Sequence, residues 1–139
     1  MGPKPTIPSS IIQSIQDAAV AEAREDERIL ALYLLGSVAK GRGRHDSDID
    51  IAMMAVPGVE VSGLDRARIA GRLSYRLGRP VDIGELSSRN LVYANEALHS
   101  SIQLYARDPK AAALYAANLL GLYLEFNERR QKIIHAYTL

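Results

Sequence analysis

LYLLGSVAKGRGRHDSDIDIAMM, residues Leu32 to Met54, decides how this chain folds. Tyr33, Leu34 and Leu35 close an apolar run that stops at Gly36-Ser37, and ten residues separate Ser37 from Asp48-Ile49-Asp50-Ile51. The stretch reads strand, glycine turn, basic loop, strand. Side chains alternate along a strand, which sets Asp48 and Asp50 on one face and Ile49 and Ile51 on the other. Carboxylates aligned in this way repel one another and are best tolerated with a cation between them. Mg²⁺ fits that role, because it is hard and is commonly held by one or two carboxylates together with substrate phosphates. At the turn, Gly36 permits positive φ and a close backbone approach to a ligand. Ser37 adds a hydroxyl, and a helix starting there would offer free N–H groups to an anion.

Upstream, residues 1–8 hold three of the six prolines and read as a loose tail. A helix follows from Ser9 or Ser10 to about Arg24, with Ile11, Ile12, Ile15, Ala18 and Ala19 at helical spacing. Ile29 to Leu35 is apolar enough for a buried strand, the one that delivers Gly36. Within the loop, Gly41-Arg42-Gly43-Arg44 interleaves glycine with arginine. Two uses fit it: a basic cover over a triphosphate, or a solvated turn. His45 reads as a loop histidine.

Downstream, Leu64 to Leu77 has the spacing of a helix, ended by Gly78 and kept from resuming by Pro80. Arg68, Arg72 and Arg76 fall along one of its faces, which suits a solvated ridge or a contact to phosphates or an acidic partner. Val81-Asp82-Ile83-Gly84-Glu85-Leu86 is a third strand candidate, with Asp82 and Glu85 on opposite faces. From Asn90 the pattern reads as helical to the end. One helix carries Leu91, Ala94, Leu98, Ile102 and Tyr105. A second, capped by Asp108 with Pro109 at its first position, carries Ala112, Tyr115, Leu119, Phe126, Ile133 and Tyr137. Residues 109–137 would span about 40 Å as a continuous helix, longer than a small sheet and so available to a partner.

The totals narrow the function. At 139 residues, 47% of them hydrophobic, the chain has material for one core and no room for a second catalytic domain. A net charge of +1 gives no global case for nucleic acid or an acidic membrane. There are no cysteines, which excludes disulfides, thiolate metal sites and a cysteine nucleophile. No apolar segment approaches the roughly 20 residues of a membrane span, and MGPKPTIPSS lacks the apolar stretch of a signal peptide. A cytoplasmic location is expected.

The G-S, ten residues, D-x-D spacing resembles the signature of the nucleotidyltransferase superfamily that includes DNA polymerase β and the aminoglycoside nucleotidyltransferases. More narrowly, GSVAKGRGRHDSDIDIAM resembles the minimal nucleotidyltransferase (MNT) domain, the MntA-type adenylyltransferase antitoxins encoded beside HEPN toxins. The resemblance implies an α/β fold over residues 1–139 as a single domain. Its small mixed sheet would have the Ile29 and Ser47 strands as antiparallel neighbours, helices behind them and a long C-terminal helix. It implies that Asp48 and Asp50 hold two Mg²⁺ ions and that Asp82 supplies the third carboxylate. Gly36 and Ser37 would position the β- and γ-phosphates of ATP, with Lys40 and Arg42 as further nucleotide-binding cations. The family usually carries arginine where Lys40 stands, and lysine keeps the charge without the bidentate fork.

The implied reaction is transfer of AMP to a tyrosine of a HEPN toxin, which neutralises it. Two alternatives fit the same residues: an antitoxin that masks its toxin without catalysis, and an enzyme acting on a small molecule or RNA. In the tail, Arg130, His135 and Tyr137 match the R-x4-H-x-Y pattern of HEPN ribonucleases. Nothing upstream resembles that all-helical bundle, so the match reads as coincidence.

Overall fold

The computed structural model describes residues 9–36 and 48–138. Among these, the elements run α1 (Ser9–Glu25), β1 (Ile29–Leu35), β2 (Ile49–Ala55), α2 (Gly63–Leu77), β3 (Val81–Glu85), α3 (Leu91–Ser100), β4 (Ile102–Ala106) and α4 (Pro109–Tyr137). The strands form one mixed sheet in the order β3-β2-β1-β4. β1 is antiparallel to β2 and β4, and β2 is parallel to β3.

β1 is apolar throughout because helices cover both faces of the sheet. On one face Leu32 and Leu34 pack with Ile49, Ile51 and Met53 of β2, under Ile15 and Ala19 of α1 and Ile69 and Leu73 of α2. On the other, Leu30, Ala31 and Tyr33 pack with Ala52 and Met54, under Ala94 and Ala97 of α3 and Ala112 and Leu119 of α4. A register irregularity between Ile29 and Ala31 lets both Leu30 and Ala31 turn to this second face.

Local chemistry sets the helix ends. Ser62 caps α2, its hydroxyl accepting from the Asp65 N–H at 3.1 Å, and Gly78 closes that helix at φ 66°. Asp108 caps α4 through the N–H groups of Lys110 and Ala111, with Pro109 at the start, as its sequence predicts.

The expected helix through Tyr105 is corrected by the structure. It stops at Ser100, and Ile102–Ala106 is the edge strand β4. Leu98, Ile102 and Tyr105 fit a helical period, while Ile102, Leu104 and Ala106 equally alternate, so a run this short is ambiguous by pattern alone. The free edge of β1 decides it, pairing Ala31 with Ala106 and Leu32 with Tyr105. Arg107 then locks the strand end, its guanidinium donating to the Ala23, Asp26 and Ile29 carbonyls at 2.6, 3.0 and 3.0 Å.

The arginine ridge of α2 is largely exposed and ion-paired with nearby carboxylates. Arg72 and Arg76 reach the buried carboxylate of Glu22 on α1 at 3.0 and 3.9 Å, and Arg68 lies 3.9 Å from Asp65. Burying a lone carboxylate is costly, and these partners offset that cost.

Arg28 ties the α1–β1 turn to α2, reaching Asp26 at 2.7 Å and Asp65 at 2.9 Å. Its hydrogen bonds hold both carboxyls below the usual aspartate range. A carboxyl depressed in the fold contributes stability above its unfolded pKa and loses it as pH falls through the folded one. Arg28→Met should therefore melt below wild type at neutral pH, and the gap should close as pH drops below the ordinary aspartate value of 3.8. Thermal melts across the acid range check this.

α4 is 29 residues long, and its buried residues, Ala112 and Leu119, belong to its first half. The second half extends past the core and leaves Leu124, Phe126, Ile133, Ile134 and Tyr137 exposed. Pairs four residues apart, Glu125–Arg129 at 3.5 Å and Glu128–Lys132 at 3.9 Å, support it in solvent. Arg130 folds back on its own helix, donating to Asn127 at 2.7 Å.

Candidate active site

β1 and β3 flank β2, so the acidic end of β2 meets both. Leu35 pairs with Asp50 across the antiparallel ladder, and Asp50 pairs with Asp82 across the parallel one. The parallel register is pinned at both ends, where Ile49 N–H donates to the Pro80 carbonyl at 2.8 Å and Leu86 N–H to the Met53 carbonyl at 2.9 Å. Asp50 is the exposed member of a strand whose Ile49 and Ile51 to Met54 are buried. It points to the α3 side of the sheet, where the helices leave a cavity of about 310 Å³.

Gly36 ends β1 with φ 71°, a conformation that L side chains rarely adopt. A Cβ there would stand 3.3 Å from Asp50 Oδ2. The glycine therefore keeps the backbone close to the carboxylate and the space above it open. Asp48 lies one residue before β2, exposed to solvent, rather than inside the strand as the alternation suggests. Its charge still reaches the site. Burial first, then the charges of Asp82 and Asp48, push the Asp50 carboxyl above its ordinary range.

The fourth wall comes from α3. Tyr93, Glu96, Ala97 and Ser100 line the cavity, at the spacing of one helix face. Tyr93 crosses β3 at Gly84, where a Cβ would overlap the tyrosine hydroxyl. Burial, followed by the charges of Asp50 and Asp82, pushes the Tyr93 hydroxyl up to about 12, so it stays protonated at neutral pH. These residues were not singled out in the sequence, although a glycine inside a strand pattern signals close approach by another group. Glu85 faces away and pairs with Arg66 of α2 at 3.3 Å.

The structure thus brings Gly36, Asp50 and Asp82 together, with Asp48 beside them. Ser37, Lys40 and Arg42, together with His45, lie outside the described residues. Among the described residues no group of three or more His, Cys, Asp or Glu side chains is close enough to hold a metal ion. The donor chemistry nonetheless fits Mg²⁺. Asp50 and Asp82 are hard oxygen donors on paired residues, and Mg²⁺ commonly completes such a site with water and substrate phosphates.

A model of the family described as polymerase beta, nucleotidyltransferase, matches residues 18–110, which run from α1 through β4 into the start of α4. The chain belongs to this nucleotidyltransferase family. Its relatives include the protein adenylyltransferase MntA of Shewanella oneidensis, 28% identical over 107 residues that cover 77% of this chain and 75% of that protein. Among solved structures, a toxin–antitoxin complex with AMP-PNP superposes with a TM-score of 0.74 at 25% identity, covering 89% of this chain and 98% of that one. A re-refined structure of tri-AMPylated Shewanella oneidensis HEPN toxin with its MNT antitoxin superposes at 0.71, with 23% identity over 91% of this chain and 98% of that one. That last likeness bears on the fold alone. As the resemblance implied, this nucleotidyltransferase has a mixed sheet backed by helices, with β1 and β2 antiparallel and a long C-terminal helix. Among its described residues no helix is long and apolar enough to cross a membrane.

Proposed function

We propose that this protein is a Mg²⁺-dependent adenylyltransferase that transfers AMP from ATP to a tyrosine of a partner HEPN toxin and so neutralises it. The observation that carries the reading is the placing of Asp50 and Asp82 on paired residues of β2 and β3, with Gly36 closing on Asp50, in a chain of the nucleotidyltransferase family. The similarity to a protein adenylyltransferase and to a toxin–antitoxin complex holding AMP-PNP supports ATP as donor and a protein as acceptor.

In this reading Gly36 and Ser37 seat the β- and γ-phosphates, and Lys40 and Arg42 add positive charge. Asp48, Asp50 and Asp82 would hold Mg²⁺, which when bound neutralises phosphate charge and steadies the attacking and leaving oxygens of an in-line displacement. The tyrosine oxygen bonds to the α-phosphorus while the bond from α-phosphorus to the bridging oxygen breaks. Pyrophosphate leaves, and the hydroxyl proton passes to Asp82. The protein's own contribution is position and charge placement.

The outer half of α4 supplies the docking surface for the toxin, through Phe126, Ile133, Ile134 and Tyr137, which share one side of the helix. The same surface favours a second reading, in which docking alone masks the toxin. Incubating the protein with α-labelled ATP, Mg²⁺ and the purified HEPN partner tests the first. Label on a partner tyrosine is expected, and neutralisation without label would favour masking.

Ligand binding gives a further expected result. Nucleotide at about 100 times its Kd adds about 2.7 kcal/mol to stability by mass action. AMP-PNP with Mg²⁺ should raise the melting temperature of wild type by several degrees, and Asp50→Asn should lose most of that rise. An equal rise in both proteins would remove Asp50 from the nucleotide site.

A further inference from the structure

We propose that Tyr93, seated over Gly84, is the residue that receives the acceptor, a phenolic side chain on a polypeptide that enters along the cleft between β3 and the start of α3. The inference rests on the nucleotidyltransferase reading of the cavity and assigns the side from which the second substrate arrives.

Gly36 lies at the β1 side of the cavity, Asp50 on β2 at its centre, and Asp82, Gly84 and Tyr93 at the β3 side. If phosphates occupy the β1 side, the β3 side faces the acceptor. Beyond Tyr93 is a second cleft of about 330 Å³, whose lining includes Glu85, Ser87, Arg89 and Asn90. Gly84 and Tyr93 belong to both spaces, so the tyrosine ring is the partition between them. An acceptor carried by a folded partner needs such an open approach, because its backbone cannot enter the cavity.

The partition is held in place by the fold. Asn90 caps α3, its side-chain oxygen accepting from the Tyr93 N–H at 3.2 Å, which fixes where the tyrosine leaves the helix. Gly84 is flat under the ring, and a Cβ there would come within 2.7 Å of the Tyr93 Cζ. A strand interior gains nothing from glycine in its own right, so the residue is accounted for by the tyrosine above it. On the far side of the cleft Arg89 reaches Glu60 at 2.9 Å and Glu85 at 4.0 Å, giving a charged rim suited to polypeptide rather than to an apolar small molecule. An aromatic ring at the mouth, beside Asp82, suits edge or offset stacking with an incoming phenol.

The test uses the full chain saturated with AMP-PNP and Mg²⁺, with N-acetyl-tyrosinamide as acceptor probe, followed by NMR titration. Tyr93→Ala should weaken probe binding roughly three- to tenfold, the size expected for loss of one aromatic pair. Gly84→Ala, which displaces the ring, should do the same, whereas Tyr93→Phe should bind the probe within about twofold of wild type. AMP-PNP affinity should stay within about twofold throughout. A parallel loss of AMP-PNP affinity would show that the ring contacts the nucleotide and would overturn the assignment. So would a probe that binds all four proteins equally or does not bind wild type. A wild type that fails to bind AMP-PNP at all would remove the nucleotidyltransferase reading itself, and the acceptor assignment with it.

Discussion

Asp48→Ala/Asp50→Ala is expected to lower AMP transfer by at least about 10³-fold while leaving the partner bound and toxic, since removing one preorganised charge from an active site typically costs about 10²–10³ in rate. Asp50 stands between Leu35 and Asp82 in the sheet register, and no neighbouring side chain can replace it without leaving its own strand. The docking surface assigned to the outer half of α4 is formed by other residues, so toxin capture should survive. Co-purification with the toxin, intact-mass measurement of AMP on it and a growth assay give the three readouts. A double variant that neutralises as well as wild type while transferring nothing would leave masking as the function.

The single variant Asp50→Asn carries a second expectation. Burial and the charges of Asp82 and Asp48 raise the Asp50 carboxyl in the fold. A raised carboxyl contributes stability below its unfolded pKa and loses it as pH rises through the folded one. At neutral pH that contribution is gone, so the uncharged amide should melt above wild type when nucleotide and metal are withheld. Stability and activity should therefore move in opposite directions, the signature of a charge kept for chemistry rather than for folding.

Gly36→Val should abolish transfer by a larger factor than it destabilises the chain. At φ 71° a β-branched residue is strained, which costs on the order of 1–3 kcal/mol. Its Cβ would also meet Asp50 Oδ2 at 3.3 Å and its methyl groups would fill the space assigned to phosphate. Gly36→Ala shares the backbone strain but carries one methyl group, so it should keep a measurable rate. Urea melts beside transfer assays separate the two effects. Wild-type transfer by a destabilised Gly36→Val protein would contradict the phosphate cradle.

Much of this arrangement is local and was readable from the chain. The apolar run Ile29 to Leu35 forms a strand buried on both faces because it has no polar residue to expose. Gly36 turns at a positive φ that favours glycine, Gly78 ends α2 for the same reason, and Asp108-Pro109 starts α4. A period of two set Asp50 and Asp82 on strands, while Asp48 lies one residue before β2 and the grouping of Asp82 with the other acids came from the family resemblance.

Other features depend on which segments meet. Ile102–Ala106 is a strand because β1 has a free edge to satisfy, a backbone demand that no side-chain pattern encodes. Arg72 and Arg76 of α2 pair with Glu22 because α1 packs beside them, a partner that their spacing alone did not name. The pairing of Asp50 with Asp82 is a parallel register fixed by contacts flanking each residue. Tyr93 and Gly84, far enough apart in sequence to share no local pattern, become one feature only when α3 crosses β3. The sequence by itself determined the chemistry on offer, since short-range sterics and periodicity act within a few residues; tertiary packing decided which of those groups share a cavity, because strand edges and helix faces are satisfied only by segments distant along the chain.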